Sequence, residues 1–355
     1  MPLTPNPTVV FVSVPGHHGN IQENVHVKLI DRPIDLENEP VNGGVLLKTI
    51  ALSSDPYMRY RFREKDEPMF CPPILLDDPV DNFGVGKVVR SEDPNFKPGD
   101  LVWGYFSFAE YSVYPPKHPH GLTVPLRKID PIPGLPLSVY LGPLGLIGST
   151  GYGAWKAFLD DKAKESKTLF VTSGAGGVGT FVIEYAKVVA PHLKIIASAG
   201  SDEKVEGLRK RGVVAFNYKT QDANEVLKKE GPIDIYWDNV GGPQLDAALL
   251  NFNNFGVIVA CGCISSAADT SSVKNFEQIF KRSITVHGFI AFSGAVAPPM
   301  ATFAQEVGPL VATGKISGQY EHRFSGLKEA VRALNAVHTG ENNGKAVIIV
   351  DESGL

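Results

Sequence analysis

Residues 168–189 read TLFVTSGAGGVGTFVIEYAKVV, an apolar strand that runs through a glycine-rich turn straight into a helical pattern. The spacing Gly174-x-Gly176-x-x-Gly179 is weak by itself, but a strand before it and a helix after it make a dinucleotide fingerprint. Gly174 is expected to permit the tight turn, Gly176 to let backbone approach a pyrophosphate, and Gly179 to let helix and strand pack closely. The amides of Gly176, Gly177, Val178 and Gly179 would then face the phosphates at a helix N-terminus, where the dipole also favours anions. The competing reading is a glycine-rich turn that binds nothing.

The surrounding pattern supports the first reading. After about residue 130, the strands TLFVTS, LKIIAS, VVAFN, IDIYWD, GVIVACG and SITVHGFI alternate with helical stretches at 180–189, 202–211, 223–229 and 243–250. Such alternation is the signature of a parallel sheet covered by helices, with its ligand at the carboxyl ends of the strands. Before that point the runs TVVFVSV, NVHVKLI, GVLLKTIAL, FGVGKVV, DLVWGYF and AEYSVYP read as short β segments separated by turns. A chain of 355 residues exceeds one core, so two domains are expected, the first small and irregular. Towards the end, SGLKEAVRALNAVHTG is amphipathic with Ser325 as a candidate N-cap and a closing glycine, and the strand KAVIIV follows.

Several function classes are disfavoured. With 34 basic and 38 acidic side chains and no basic cluster, nucleic-acid binding is not expected. The charge-free run 131–155 holds Pro131, Pro133, Pro136 and Pro143 and many glycines, which suits a turn-rich buried hinge better than a membrane span. The three cysteines, Cys71, Cys261 and Cys263, cannot build a disulfide framework and read as reduced, mostly buried thiols in a cytosolic protein.

The end of the second strand bears on which nicotinamide cofactor would fit. NAD enzymes usually place a carboxylate there for the ribose 2′-hydroxyl, whereas this chain reads Ala197-Ser198-Ala199-Gly200-Ser201. Lys204 follows one helical turn later and can meet a 2′-phosphate as a point charge, which favours NADPH. Asp202 and Glu203 are close in sequence, and a solvated lysine is the alternative.

These segments resemble the zinc-independent medium-chain dehydrogenase/reductases, in the branch of prostaglandin, alkenal and curcumin reductases. The resemblance runs over nearly the whole chain, through SSDPYMRYR, GSTGYGAW, GAGGVG, AGSDEKVEGLRKRGVVAFNYKT, DNVGG, ACGCIS, VHGFIA and GENNGKAV. It implies a GroES-like, irregular β-barrel domain from residues 1–130 and 315–355, and a Rossmann NADPH-binding domain over 131–314, with a cleft between them. It implies that Gly176 to Gly179 hold the pyrophosphate, that Lys204 and Tyr218 bind the 2′-phosphate, and that Ser201 also belongs to the cofactor site. Asn239, Cys261, Gly262, Ile264, Ser265, Phe289, Ile290, Ala291 and Asn342 would line the rest of NADPH, and Thr150 and Tyr152 would stand near the nicotinamide. A homodimer is the usual assembly. From the residues alone, Tyr218 could equally be a strand-end tyrosine and Asn239 a turn residue.

The chemistry follows from what is absent and what is present. Zinc dehydrogenases hold the metal with cysteine and histidine, whereas this chain has only Cys71 in its first half and no Gly-His-Glu motif. His17-His18 and His118-x-His120 read as exposed loop histidines. Hydride transfer to the β-carbon of an enal or enone, without metal, is the expected reaction, and the charge it builds on the carbonyl oxygen calls for a hydroxyl donor. The resemblance places Tyr57 of Asp55-Pro56-Tyr57-Met58-Arg59 in the substrate site; a half-buried structural tyrosine is the alternative. Plant members carry a second tyrosine where this chain has Phe280 or Lys281, so that role does not transfer. Phe280, Phe292 and Tyr57 are candidates for an aromatic pocket, or for core positions. A quinone reductase and a non-catalytic NADPH-binding protein are the competing functions.

Overall fold

β-Branched and aromatic runs closed by turn residues form the strands of the first region. They are β1 (Pro7–Phe11), β2 (Val27–Asp31), β3 (Val45–Ser53), β4 (Asp81–Ser91), β5 (Leu101–Ser107), β6 (Tyr111–Tyr114) and β7 (Arg127–Lys128). The computed structural model describes residues 3–16, 19–115, 124–265, 272–318 and 320–354, so the pairs His17-His18 and His118-x-His120 lie outside the described residues.

Two compact units emerge, residues 1–142 with 321–355, and residues 143–320. The second contains α1 (Leu146–Phe158), α2 (Lys162–Glu165), β8 (Thr168–Val171), α3 (Gly177–Val189), β9 (Lys194–Ala199), α4 (Asp202–Lys210) and β10 (Val214–Asn217). It continues through α5 (Ala223–Glu230), β11 (Ile233–Asp238), α6 (Gly242–Leu250), β12 (Phe252–Ala260), α7 (Gln278–Lys281), β13 (Thr285–Gly288) and α8 (Met300–Ala312). The chain then re-enters the first unit with β14 (Glu321–Ser325), α9 (Ala330–Thr339) and β15 (Lys345–Ile349).

In the first unit a seven-stranded mixed sheet runs β14-β15-β3-β4-β5-β7, with β6 also on β3, and β1 and β2 form a separate ribbon. Its core gathers Leu47, Leu52, Val88, Phe106 and Ile348 under the apolar face of α9. Ser325 does not cap that helix. It ends β14, Gly326 turns the chain at φ 77°, and a short 3₁₀ turn, Leu327–Glu329, leads into α9. The closing glycine does act as expected: Gly340 is left-handed at φ 76° and its amide donates to the Ala336 carbonyl.

The second unit has six strands in the order β10-β9-β8-β11-β12-β13, every neighbouring pair parallel. That order, reversing beside β8, is the doubly wound Rossmann arrangement. Part of the charge-free run departs from the turn-rich expectation, because residues 146–158 form the regular helix α1. Its glycines serve close packing: a Cβ at Gly151 would lie 2.4 Å from the Phe181 ring on α3, and one at Gly153 would lie 2.9 Å from Met300 on α8. The absence of charge therefore reflects a helix buried between helices. Among the described residues no helix is long and apolar enough to cross a membrane.

Candidate functional site

Because its strands are parallel, the second unit gathers all their carboxyl ends along one edge, and most of the expected residues lie there. At the end of β8 the chain turns through Ser173, whose φ is 52°, so the left-handed position is a serine and not Gly174. Gly174 is required for space: a Cβ there would sit 2.7 Å from the Ala197 Cβ on β9. At Gly179 a Cβ would meet the Ser173 carbonyl oxygen at 2.2 Å, which is the close helix–strand packing expected of the third glycine. Gly176 is the N-cap of α3, and the first backbone bond is donated by Thr180 to the Gly176 carbonyl at 2.9 Å. Gly177, Val178 and Gly179 occupy the first turn, ahead of that bond, where helix amides point outward. Gly176, Gly177 and Val178 are only half-buried. Free amides at a helix start of this kind can receive a pyrophosphate.

Beyond β9, Ser201 caps α4 through its hydroxyl, which accepts from the Lys204 amide at 3.4 Å. The nearby acid is turned to structural use, since Asp202 accepts from the Asn217 side chain at 2.8 Å. Tyr218 covers Gly200: a Cβ on that glycine would lie 3.1 Å from the tyrosine hydroxyl. Burial lowers the Lys204 pKa, and the positive charge of Lys219 lowers it further. Lys219 was not singled out by sequence, although it stands directly after Tyr218 in Asn217-Tyr218-Lys219. Two neighbouring ammonium groups beside an exposed tyrosine suit a doubly charged phosphate, so the residues present fit the 2′-phosphate of NADPH.

At the next strand end, Asn239 is largely engaged by the protein. Its amide group donates to the Thr172 carbonyl at 2.7 Å and its oxygen accepts from the Trp237 indole at 3.2 Å, clipping β11 to β8. Burial raises the pKa of neighbouring Asp238, while the Gly241 and Val240 amides and the Tyr236 hydroxyl favour its charged form. The Asp238 carbonyl accepts from the amides of Cys261 and Gly262, and Ser265 donates to the Val240 carbonyl, so residues 261–265 are laced to this turn. The Cys261 thiol is pushed up to about 12 by burial, but Cys263 is exposed, which corrects the expectation of mostly buried thiols. Phe289, Ile290 and Ala291 follow β13, with Phe289 edge-on to Trp237.

Two residues of α1 separate in role. Thr150 is half-buried and bonds back to the Leu146 carbonyl at 2.7 Å. Tyr152 is fully buried, packs on Tyr185 and Phe303, and shares a 2.7 Å hydrogen bond with Thr302. Positions two apart on a helix face different ways, so Tyr152 belongs to the core and not to a cofactor surface. Phe280 on α7 and Phe292 are exposed by 73% and 37%, so neither is a core residue.

The first unit holds Tyr57 on a 3₁₀ turn, Pro56–Arg61, that Pro56 starts and Asp55 precedes. Its hydroxyl donates to Asn82 Oδ1 at 2.6 Å and lies 2.9 Å from the Tyr105 hydroxyl. Arg61 donates to Tyr105 at 2.7 Å and pairs with Asp81 at 2.5 Å, while Asn82 donates to the Ser53 carbonyl and to Asp55. Lys345 of β15 closes the group on Asp55 at 3.1 Å. Desolvation, then Tyr105, raises the Tyr57 pKa, so the phenol stays neutral. Asn342, also in this unit, donates to the Gly344 carbonyl at 2.7 Å. Neither Asn82 nor Tyr105 was singled out by sequence; no local motif marks them.

Comparison with known proteins places the chain among oxidoreductases. A family profile described as the N-terminal domain of oxidoreductase matches residues 26–122, and one described as zinc-binding dehydrogenase matches residues 177–306. A 2-alkenal reductase (NADP(+)-dependent) of Nicotiana tabacum is 38% identical over 313 residues, covering 86% of this chain and 87% of the relative. The (+)-pulegone reductase of Mentha piperita is 35% identical over 317 residues, covering 87% and 88%. Among solved structures, CurA of Vibrio vulnificus in complex with NADPH superposes with a TM-score of 0.82 at 28% identity, covering 98% of this chain and 99% of that one.

Proposed function

The chain belongs to the medium-chain dehydrogenase/reductase family, in its double-bond reductase branch, and from that premise we propose that it reduces the carbon–carbon double bond of α,β-unsaturated aldehydes and ketones with NADPH. The observation that carries the cofactor is the pairing of a glycine cradle at α3 with Lys204, Lys219 and Tyr218 at the next strand ends. When bound, NADPH supplies the hydride that saturates the β-carbon. What the chain supplies is orientation and a donor for the charge that develops on the carbonyl oxygen. Tyr57 is that donor: its raised pKa keeps the hydroxyl protonated, and removing one such donor costs about 100-fold or more in rate. Tyr57→Phe is therefore expected to lower kcat by about that factor while leaving NADPH affinity unchanged.

The reaction needs no metal in this reading, because Cys71 is the sole cysteine of the first unit and the hydroxyl donor takes the place of a Lewis acid. The protein acts as a cytosolic homodimer that pairs through β13. This strand ends the parallel sheet, and Val286, Phe280 and Ile290 beside it are 46%, 73% and 50% exposed.

Consumption of NADPH, followed by its absorbance with enals, aryl enones, quinones and simple ketones, tests the function. Turnover of enones that survives a chelator and yields the saturated carbonyl supports it. Turnover of quinones alone assigns a quinone reductase, and NADPH binding without turnover of any compound assigns a non-catalytic role. Sedimentation of the purified chain tests the dimer, a monomer at micromolar concentration ruling it out, and fractionation of cells tests the compartment.

A further inference from the structure

The hydrogen bonds around Tyr57 have only one consistent direction. Arg61 has no acceptor, so Tyr105 Oη accepts from it and must spend its own hydrogen elsewhere. Asn82 turns its amide nitrogen to two pure acceptors, the Ser53 carbonyl at 2.8 Å and the Asp55 carboxylate at 2.9 Å. Its Oδ1 is thereby aimed at Tyr57 and takes the tyrosine's single hydrogen at 2.6 Å. The 2.9 Å contact between the two tyrosines is then Tyr105 donating to Tyr57. The chain runs Arg61 to Tyr105 to Tyr57 to Asn82.

From this polarity we infer that Asn82 and Tyr105 are positioning residues for the reaction: Asn82 holds the Tyr57 hydrogen until a carbonyl oxygen displaces it, and Tyr105 keeps the Tyr57 oxygen polarised as that hydrogen is given. The inference rests on the donor role proposed for Tyr57. In a row of hydrogen bonds each donor strengthens the next, so the Arg61 cation, buried against Asp81, reaches the substrate oxygen through two hydroxyls. Asn82 fixes where the hydrogen waits. Because Asp55 anchors Asn82 and is itself held by Lys345, that resting position is rigid.

A double-mutant cycle on kcat tests this with the full chain. Tyr105→Phe removes one hydroxyl, leaves the ring that packs on Phe83, and leaves Arg61 its bonds to the Asp81 and Pro72 carbonyls. It is expected to lower kcat about 10-fold with KM for the enone and NADPH affinity within about two-fold. In the Tyr57→Phe background the same change should have no further effect, because Tyr105 has nothing left to act through. Asn82→Ser, which withdraws the acceptor, should behave in the same non-additive way and guards against a Tyr105 variant that fails to fold. Losses from Tyr105→Phe and Asn82→Ser that recur undiminished in the Tyr57→Phe background overturn the inference while leaving the donor role standing. A Tyr57→Phe enzyme with full turnover overturns the donor role itself and the inference with it.

Discussion

The two units build their sites from different materials. In the second, the candidate cofactor surface is mostly backbone: glycines where a Cβ would collide, helix amides, and strand ends aligned by a parallel sheet. In the first, the candidate reaction site is a closed group of side chains, Tyr57, Asn82, Tyr105, Arg61 and Asp55, each holding the next. A site made of backbone tolerates surface change but not added volume. One made of side chains tolerates volume better than the loss of a single polar atom.

The contrast can be broken at its strongest point by Gly179→Val. With the Ser173 carbonyl only 2.2 Å from the Cβ position, α3 must shift, and NADPH affinity should fall more than 100-fold on titration while a urea midpoint also drops. If affinity and midpoint both hold, the third glycine is not a packing requirement. The first unit should instead show sensitivity to protonation. Burial, and secondarily the Arg59 charge, push the His338 pKa down to about 4, against a bond to the Pro56 carbonyl. The folded unit keeps this histidine neutral while the unfolded chain protonates near its ordinary 6.5. The stability it allows is complete above about pH 7 and is lost as pH falls towards 4, by up to about 3 kcal/mol. Urea unfolding at pH 7 and pH 5 should show the loss in the first unit, and His338→Leu should reduce it; an unchanged pH dependence in that variant removes His338 as the cause.

Charge at the candidate cofactor surface has a smaller effect. Lys204→Ala should weaken NADPH about 10- to 30-fold in fluorescence titration and leave NADH unchanged, the value of a charge-assisted phosphate contact. Equal losses for both cofactors would detach Lys204 from the 2′-phosphate. Lys219→Ala should give a smaller loss, about three- to ten-fold, since it lies more exposed and relieves its neighbour's repulsion.

How legible each region was in the sequence follows from this difference. Backbone sites are local, so the strand, Gly174, Gly176, Gly179 and α3 could be read from adjacent letters, and the sheet from alternating periods. Even there, the left-handed turn fell on Ser173, because steric space and not φ is what Gly174 provides. Tyr152 and Ser325 were misread for want of direction: one faces α8, the other finishes a strand. Tyr57 drew notice through its motif, but its partners stand 25 and 48 residues away, and no periodicity links such positions. The acceptor that takes its hydrogen is visible only in three dimensions.

The interrupted build of the first unit sets an order of assembly. β15 lies between β14 and β3 in the sheet, yet the ribosome makes it only after the whole second unit. A nascent chain can therefore complete the parallel sheet of its second unit while β3 still waits for β15. Lys345, the first residue of that late strand, also secures Asp55 beneath Asn82. Synthesis halted before residue 345 would release a chain with its parallel sheet entire and the tyrosine group lacking its anchor, so under the proposed function capacity to bind precedes capacity to react.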